Sequence, residues 1–200
     1  MSTHTRKLAL TAAPMLLALT LGLAGCSAEG SAPSAAPDAS TAQGMLAAHG
    51  LEGMDARGVI EKLEHTALDK RPRDLMASIR PDSLLLSEQS GKTTQLPMPK
   101  DEFYLSVAPY VGTSHDCYFH SLTTCLGELG DADVSITVTT ESGETIVSEK
   151  TRTNENGFVG IWLPRDITGT LTITQDGKSA STEIATGSED PTCLTTMQLS

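Results

Sequence analysis

Two cysteines and one histidine lie within nine residues, "CYFHSLTTC" at 117–125, and another cysteine follows at Cys193. Thiolates are soft ligands for metals such as Cu(I) and Zn(II), whereas cysteines in an oxidising compartment also pair as disulfides. Cys117 and Cys125 are close enough in sequence to meet at the two ends of one loop. A site that also includes Cys193 depends on the fold, because its ligand comes from a late predicted strand.

The N-terminus contains the fourth cysteine, Cys26. Arg6 and Lys7 precede the apolar run "LALTAAPMLLALTLGLAGC" at 8–26, which is short for a membrane span and typical of an export signal. Residues 23–26, "LAGC", look like a lipobox, in which Cys26 receives a diacylglycerol before cleavage. We therefore predict a signal peptide at 1–25 and an extracytoplasmic protein that is tethered to a membrane surface by its lipid.

Lipidation of Cys26 leaves an odd number of thiols, namely Cys117, Cys125 and Cys193. A Cys117–Cys125 disulfide would close a nine-residue loop and contribute about 2.5 kcal/mol, but it leaves Cys193 unexplained. Alternatively, all three thiolates bind one metal ion. Three sulfurs suit Cu(I), whereas zinc requires a fourth donor, for which His115 and His120 are the candidates. Both the disulfide and the metal site remain open at this point.

Other chemistry is less well supported by the residues. Met197 would lie about 13 Å from Cys193 in an extended segment, while sulfurs on one metal lie roughly 4 Å apart, so packing is its expected role. Ser114, His115 and Asp116 have the letters of a hydrolase triad, but consecutive extended residues point to alternating faces. The thiols also lack the C-x-x-C spacing of an oxidoreductase. We therefore expect a binding protein and not an enzyme, although a thiolate site could reduce Cu(II).

The charge of the chain excludes one class of partner. The formal net charge is −11, and removal of residues 1–25, which contain Arg6 and Lys7, leaves 12 basic against 25 acidic residues, or −13. Nucleic-acid binding requires a basic surface, so nucleic acid is not expected as a partner. A negative field attracts cations instead.

The N-terminal half is predicted to contain a linker and a small helical domain. Residues 26–44 are rich in Ser, Ala, Pro and Gly and are predicted to be a disordered linker. Residues 45–100 are predicted to form a helical domain with a β-hairpin. Its elements are a helix after the N-cap Asp55 with Val59, Ile60, Leu63 and Ala67 on one face, a short helix "PRDLMASI" at 72–79, and a hairpin at 83–98 that turns at Ser90-Gly91.

The C-terminal half, residues 101–200, is predicted to be a β-sandwich that carries the metal site. Short segments rich in Val, Ile and Thr, such as "DVSITVTT" and "GFVGIWLP", alternate with glycine turns such as "ESG" and "DGK". Trp162 is expected in the core. The fold class is therefore α+β, with a small helical N-terminal segment packed on a mainly antiparallel sandwich. A structural or adhesive sandwich lipoprotein remains the alternative from another functional class.

Three separated motifs resemble a known family. "EFYLSVAPYV" leading into "HDCYFHSLTTCLGEL", then "NGFVGIWLPRD" and a terminal "PTCLTTMQL" look like the CueP family of envelope copper-binding proteins. The resemblance covers roughly residues 45–199.

The resemblance implies three cysteines that bind Cu(I), and by motif these are Cys117, Cys125 and Cys193. It also implies a β-rich C-terminal domain, dimerisation through the N-terminal part, and a role in copper resistance that includes delivery of copper to a copper/zinc superoxide dismutase. His120 and His115 become candidate auxiliary or outer ligands. The lipid on Cys26 departs from the better-known soluble relatives and favours sequestration at the membrane over delivery by diffusion.

Overall fold

The computed structural model describes residues 39–200, with side chains from Ala42 onward. The predicted signal peptide, the predicted lipidation site Cys26 and residues 27–38 of the predicted linker lie outside the described residues. Helix α1 spans Ala39–Ala48, so it begins within the range predicted to be linker. None of the helices between residues 39 and 200 is long and apolar enough to cross a bilayer.

Helix α2, Ala56–Glu64, begins as the sequence predicts. The Asp55 side chain accepts a hydrogen bond from the Gly58 N–H at 2.9 Å and caps the first turn. The helix is shorter than predicted, since it ends at Glu64 and leaves Ala67 exposed. Its buried stripe is Ala56, Val59, Ile60, Leu63 and Glu64, so a carboxylate occupies the last position of the apolar face.

The helix predicted at 72–79 is wrong. Leu75–Ile79 forms strand β1, which pairs antiparallel with β2, Ser83–Glu88. On its other edge, the Ile79 N–H donates to the His120 carbonyl and the Ala77 carbonyl accepts from the Leu122 N–H, at 2.8 and 2.9 Å. These long-range hydrogen bonds satisfy the backbone as a strand and override the local helical pattern.

The remaining strands are β3 Thr93–Pro97, β4 Glu102–Val107, β5 Asp133–Thr140, β6 Thr145–Arg152, β7 Val159–Pro164, β8 Thr168–Gln175, β9 Lys178–Ala185 and β10 Cys193–Leu194. They form three sheets in the orders β1-β2-β3, β10-β4-β7 and β6-β5-β8-β9. All pairings are antiparallel except β10 with β4. The predicted hairpin at 83–98 and the predicted antiparallel sandwich, and with them the α+β fold class, are confirmed.

Strand β4 lies between two hydrophobic cores. Phe103, Leu105 and Val107 face the sandwich core, which β10-β4-β7 shares with the four-stranded sheet. Tyr104, on the opposite face of β4, belongs to the core formed by α1, α2 and the first sheet. Because both faces are covered, β4 is a rigid support for the segments on either side of it. Trp162 is half-buried against the same core as Tyr104, and the centroids of the two rings lie 4.7 Å apart.

Candidate metal centre

The segment between β4 and β5 carries two of the cysteines. Ser121 forms an isolated bridge with Ser78 of β1, which extends the first sheet by one short stretch. The His120 N–H donates to the Thr192 hydroxyl at 3.1 Å, and the Tyr118 carbonyl accepts from the Cys193 N–H at 3.1 Å. The loop 117–125 is therefore held between the first sheet and the chain entering β10.

Strand β10 brings the distant cysteine to this loop. Cys193 pairs with Ser106 of β4, and the Ala108 N–H donates to the Leu194 carbonyl at 2.9 Å. The Cys193 side chain is buried in a small cluster with Ala108 and Phe158, against which Cys117 and Cys125 pack. The late strand predicted to carry Cys193 thus lies beside the loop.

The three sulfurs are together. Cys117 and Cys193 form a disulfide, with 5.6 Å between their Cα atoms, and Cys125 is a free thiol. The Sγ atom of Cys125 lies 3.7 Å from that of Cys117. The alternative disulfide considered from the sequence, Cys117–Cys125, is therefore not the pairing in this structure. Cys193 replaces Cys125 as the partner because β10 places it next to Cys117.

Two histidines adjoin the sulfurs. The ligand atoms of His120, Cys125 and Cys193 all lie within 4.8 Å of one another, and so do those of His115, Cys117 and Cys125. His120 Nδ1 is 3.9 Å from the Cys193 sulfur, and the whole residue is buried. His115 is exposed. The structure therefore brings together all five residues predicted for the site, while the lipidation site Cys26 lies outside the described residues.

Glu64 holds the far side of the His120 ring and was missed by the sequence analysis. Its Oε2 atom lies 3.3 Å from His120 Nε2, off the line of a good hydrogen bond. The same carboxylate accepts from Asn156 Nδ2 at 3.1 Å and from the Tyr104 hydroxyl at 3.5 Å. The sequence does contain a sign of this role, because Glu64 lies on the apolar stripe of α2, where a buried charged side chain requires a partner.

These contacts change the pKa values of the buried groups. Burial lowers the pKa of His120, but the charge of Glu64 and contacts with Cys125 outweigh it and raise that pKa to about 9. Burial raises the pKa of Cys125, yet the hydrogen bond and charge of His120, with a smaller contribution from Arg71, lower it overall. Burial also raises the pKa of Glu64, and His120 and Asn156 reverse the effect. An imidazole with a sulfur ligand near one ring nitrogen and a carboxylate facing the other is a common arrangement around metal ions.

The other sequence candidates have structural roles. Met197 is buried in the sandwich core, as expected from its spacing. The Ser114 hydroxyl donates to the Thr195 carbonyl, so it is committed to the backbone and not to an adjacent histidine.

Three sulfurs and two imidazoles on a β-rich scaffold define this chain as a soft-metal-binding protein. The chain belongs to the CueP family: the model for the periplasmic copper-binding protein CueP matches residues 58–198. Among solved structures, the crystal structure of S.CueP is similar, with 38% sequence identity and a TM-score of 0.76 over 82% of this chain and 99% of that one. None of the curated proteins matches. Copper binding outside the cytoplasm is thus the general function.

Proposed function

We propose that the reduced protein binds one Cu(I) ion through the Sγ atoms of Cys117, Cys125 and Cys193, with His120 as an auxiliary ligand. The observation that carries this proposal is the convergence of three sulfurs from two distant parts of the chain. Copper is the cargo of the site, and the protein sequesters it. Binding requires no catalytic step.

The donors fit monovalent copper. Three thiolates satisfy Cu(I) without a fourth ligand, and the surrounding Ala108 and Phe158 exclude water from a soft ion. His120 Nδ1 is within reach of Cys125 and Cys193, so a Cys₃His zinc site is the second candidate. The two candidates differ in how strongly the imidazole contributes to affinity.

Copper binding also depends on the redox state of the thiols. In the disulfide form, two of the three sulfurs are joined to each other and cannot bind as thiolates. Reduction of Cys117–Cys193 therefore precedes formation of the complete site, and the oxidised protein retains only the Cys125 thiol.

The lipid on Cys26 places this site at the outer face of a membrane, with the residues between Cys26 and α1 as its linker and the segments on either side of residue 100 as its two domains. From that position the protein contributes to copper resistance by sequestration and delivers copper to a copper/zinc superoxide dismutase on contact. Its N-terminal part forms a homodimer. Mass spectrometry of the membrane fraction tests the anchor, since a diacylated Cys26 should be the first residue of the mature chain.

A competitive titration against a chromogenic Cu(I) chelator tests the three-thiolate site. We expect Cys193→Ser to weaken Cu(I) binding by about tenfold or more. A residue that binds the metal directly contributes at least as much to the affinity as a residue that only hydrogen-bonds to a ligand. The matched control is Met197→Leu, which changes a buried sulfur outside the donor set at nearly constant volume. Equal affinities for Cys193→Ser and the wild type would rule out the proposal.

The same titration, together with a second one against a Zn(II) chelator, separates copper from zinc. For a three-thiolate Cu(I) site, His120→Asn should weaken binding less than Cys193→Ser does. Loss of metal binding as complete as in the cysteine variant, together with a preference for Zn(II), would favour the Cys₃His site.

A further inference from the structure

The donors around the three sulfurs form two overlapping sets. The outer set is His115, Cys117 and Cys125, and the inner set is His120, Cys125 and Cys193. Atoms on one metal with bonds of about 2.0–2.3 Å lie at most about 4.6 Å apart. With ligand atoms within 4.8 Å of one another, each set is close to the size that one ion spans. Among residues 42–200, no single set contains both histidines.

The two sets differ in their access to solvent. His115 is exposed, and Cys117 and Cys125 are half-buried. In contrast, His120 and Cys193 are buried, with 0% and 2% of their surfaces exposed. An ion that arrives from solvent meets the outer set first, and Cys125 belongs to both sets.

The backbone before His115 is fixed. The Glu128 carboxylate accepts hydrogen bonds from the N–H groups of Val111, Gly112 and Thr113, at 2.8, 2.9 and 3.1 Å. The Ser114 hydroxyl is bonded to the Thr195 carbonyl. His115 therefore follows a loop whose backbone is held by hydrogen bonds, and these bonds keep it beside Cys117.

We propose that His115 is the ligand through which copper enters and leaves the site. This inference rests on the proposed Cu(I) function. Cu(I) binds first to His115, Cys117 and Cys125, and then moves inward as the thiolate of Cys193 replaces the imidazole of His115. Cys117 and Cys125 stay bound throughout. The step exchanges one ligand lone pair for another and transfers no electron; the Cys193 thiol loses its proton as it binds, and the released His115 imidazole takes up one proton from solvent, so that charge balances.

Cu(I) transfer to and from a chromogenic chelator, followed by stopped-flow absorbance, tests this role. The protein is first reduced with a phosphine, so that all three thiols are available. We expect His115→Ala to slow both uptake and release by about tenfold, which corresponds to a barrier higher by about 1.4 kcal/mol. The equilibrium dissociation constant should stay within about twofold of the wild-type value.

Two further variants serve as a second test and as a control. His115→Asn keeps a polar side chain without an imidazole and should behave like His115→Ala. His65→Ala removes an exposed histidine outside both sets and should change neither rate nor affinity.

Two results would overturn the proposal. A loss of affinity in His115→Ala as large as that in Cys193→Ser would make His115 a permanent ligand, and unchanged rates would make it a bystander. Failure of the proposed function looks different, because the wild-type protein would then not compete with the chelator at all.

Discussion

Replacement of Glu64 by glutamine tests the buried pair that holds His120. The glutamine amide can keep the contacts with Asn156 and Tyr104, so the substitution mainly removes the negative charge beside the imidazole. Glu64 is 3% exposed and His120 fully buried, so solvent screens this interaction little. We therefore expect a large effect for an isosteric change.

The magnitude follows from the pKa of His120. Burial lowers that pKa, but Glu64, with a smaller contribution from Cys125, raises it from 6.5 to about 9. At pH 7, a rise of this size contributes about 2–3 kcal/mol to the free energy of unfolding. Without the carboxylate this pKa falls, and Glu64→Gln should lose most of that contribution, about 2 kcal/mol.

The sign of the pH dependence is also defined. The pKa of His120 is raised, so its contribution is complete below pH 6.5 and is lost as the pH rises through about 9. The pKa of Glu64 is lowered, so its contribution is lost as the pH falls below the ordinary value of 4.5. The difference between wild type and variant should therefore be largest at about pH 5–6 and disappear at about pH 10.

Guanidinium unfolding of the oxidised, metal-free protein measures this difference. The matched control is Glu61→Gln, which removes an exposed carboxylate from the same helix and should change the stability by less than about 0.5 kcal/mol. Equal effects of the two substitutions, or a loss in Glu64→Gln that is the same at all pH values, would refute the reasoning.

Two further predictions concern the scaffold of the site. Glu128→Gln should lower the protection of the amides at residues 111–113 against hydrogen exchange, because three backbone N–H groups stabilise the carboxylate. Acidification of the wild type through the lowered pKa of Glu128 should also lower this protection, measured against an unfolded peptide at the same pH. Unchanged protection would contradict this. Gly160→Ala should destabilise the protein by about 1–3 kcal/mol in thermal unfolding, since the new Cβ would overlap the Tyr104 hydroxyl. The control is Gly58→Ala in α2, where a new Cβ would make only ordinary van der Waals contacts, so this variant should be as stable as the wild type or more stable. Equal melting temperatures for Gly160→Ala and Gly58→Ala would count against the overlap.

Local patterns predicted most of the strands and one helix start correctly. The alternation of Val134, Ile136 and Val138 is a property of β5 itself, and these side chains do face the sandwich core. The Asp55 cap likewise depends only on its own helix. The prediction for residues 75–79 was wrong because their strand also pairs with the loop 120–122, which lies far away in sequence and in no local window.

The sequence by itself determined which donors are available. It supplied three thiols that remain after Cys26, two nearby histidines, and the motifs that indicated the CueP family. These are properties of residue type, order and spacing, so they can be read without coordinates.

Only the tertiary structure decided how the donors are arranged. The parallel pairing of β10 with β4 places Cys193 next to Cys117, which makes their disulfide possible and leaves Cys125 free. The packing of α2 against the loop brings Glu64 to His120 across 56 positions of sequence. Both depend on contacts between segments far apart in the chain, whose geometry is set by the shared cores and not by the spacing of residues.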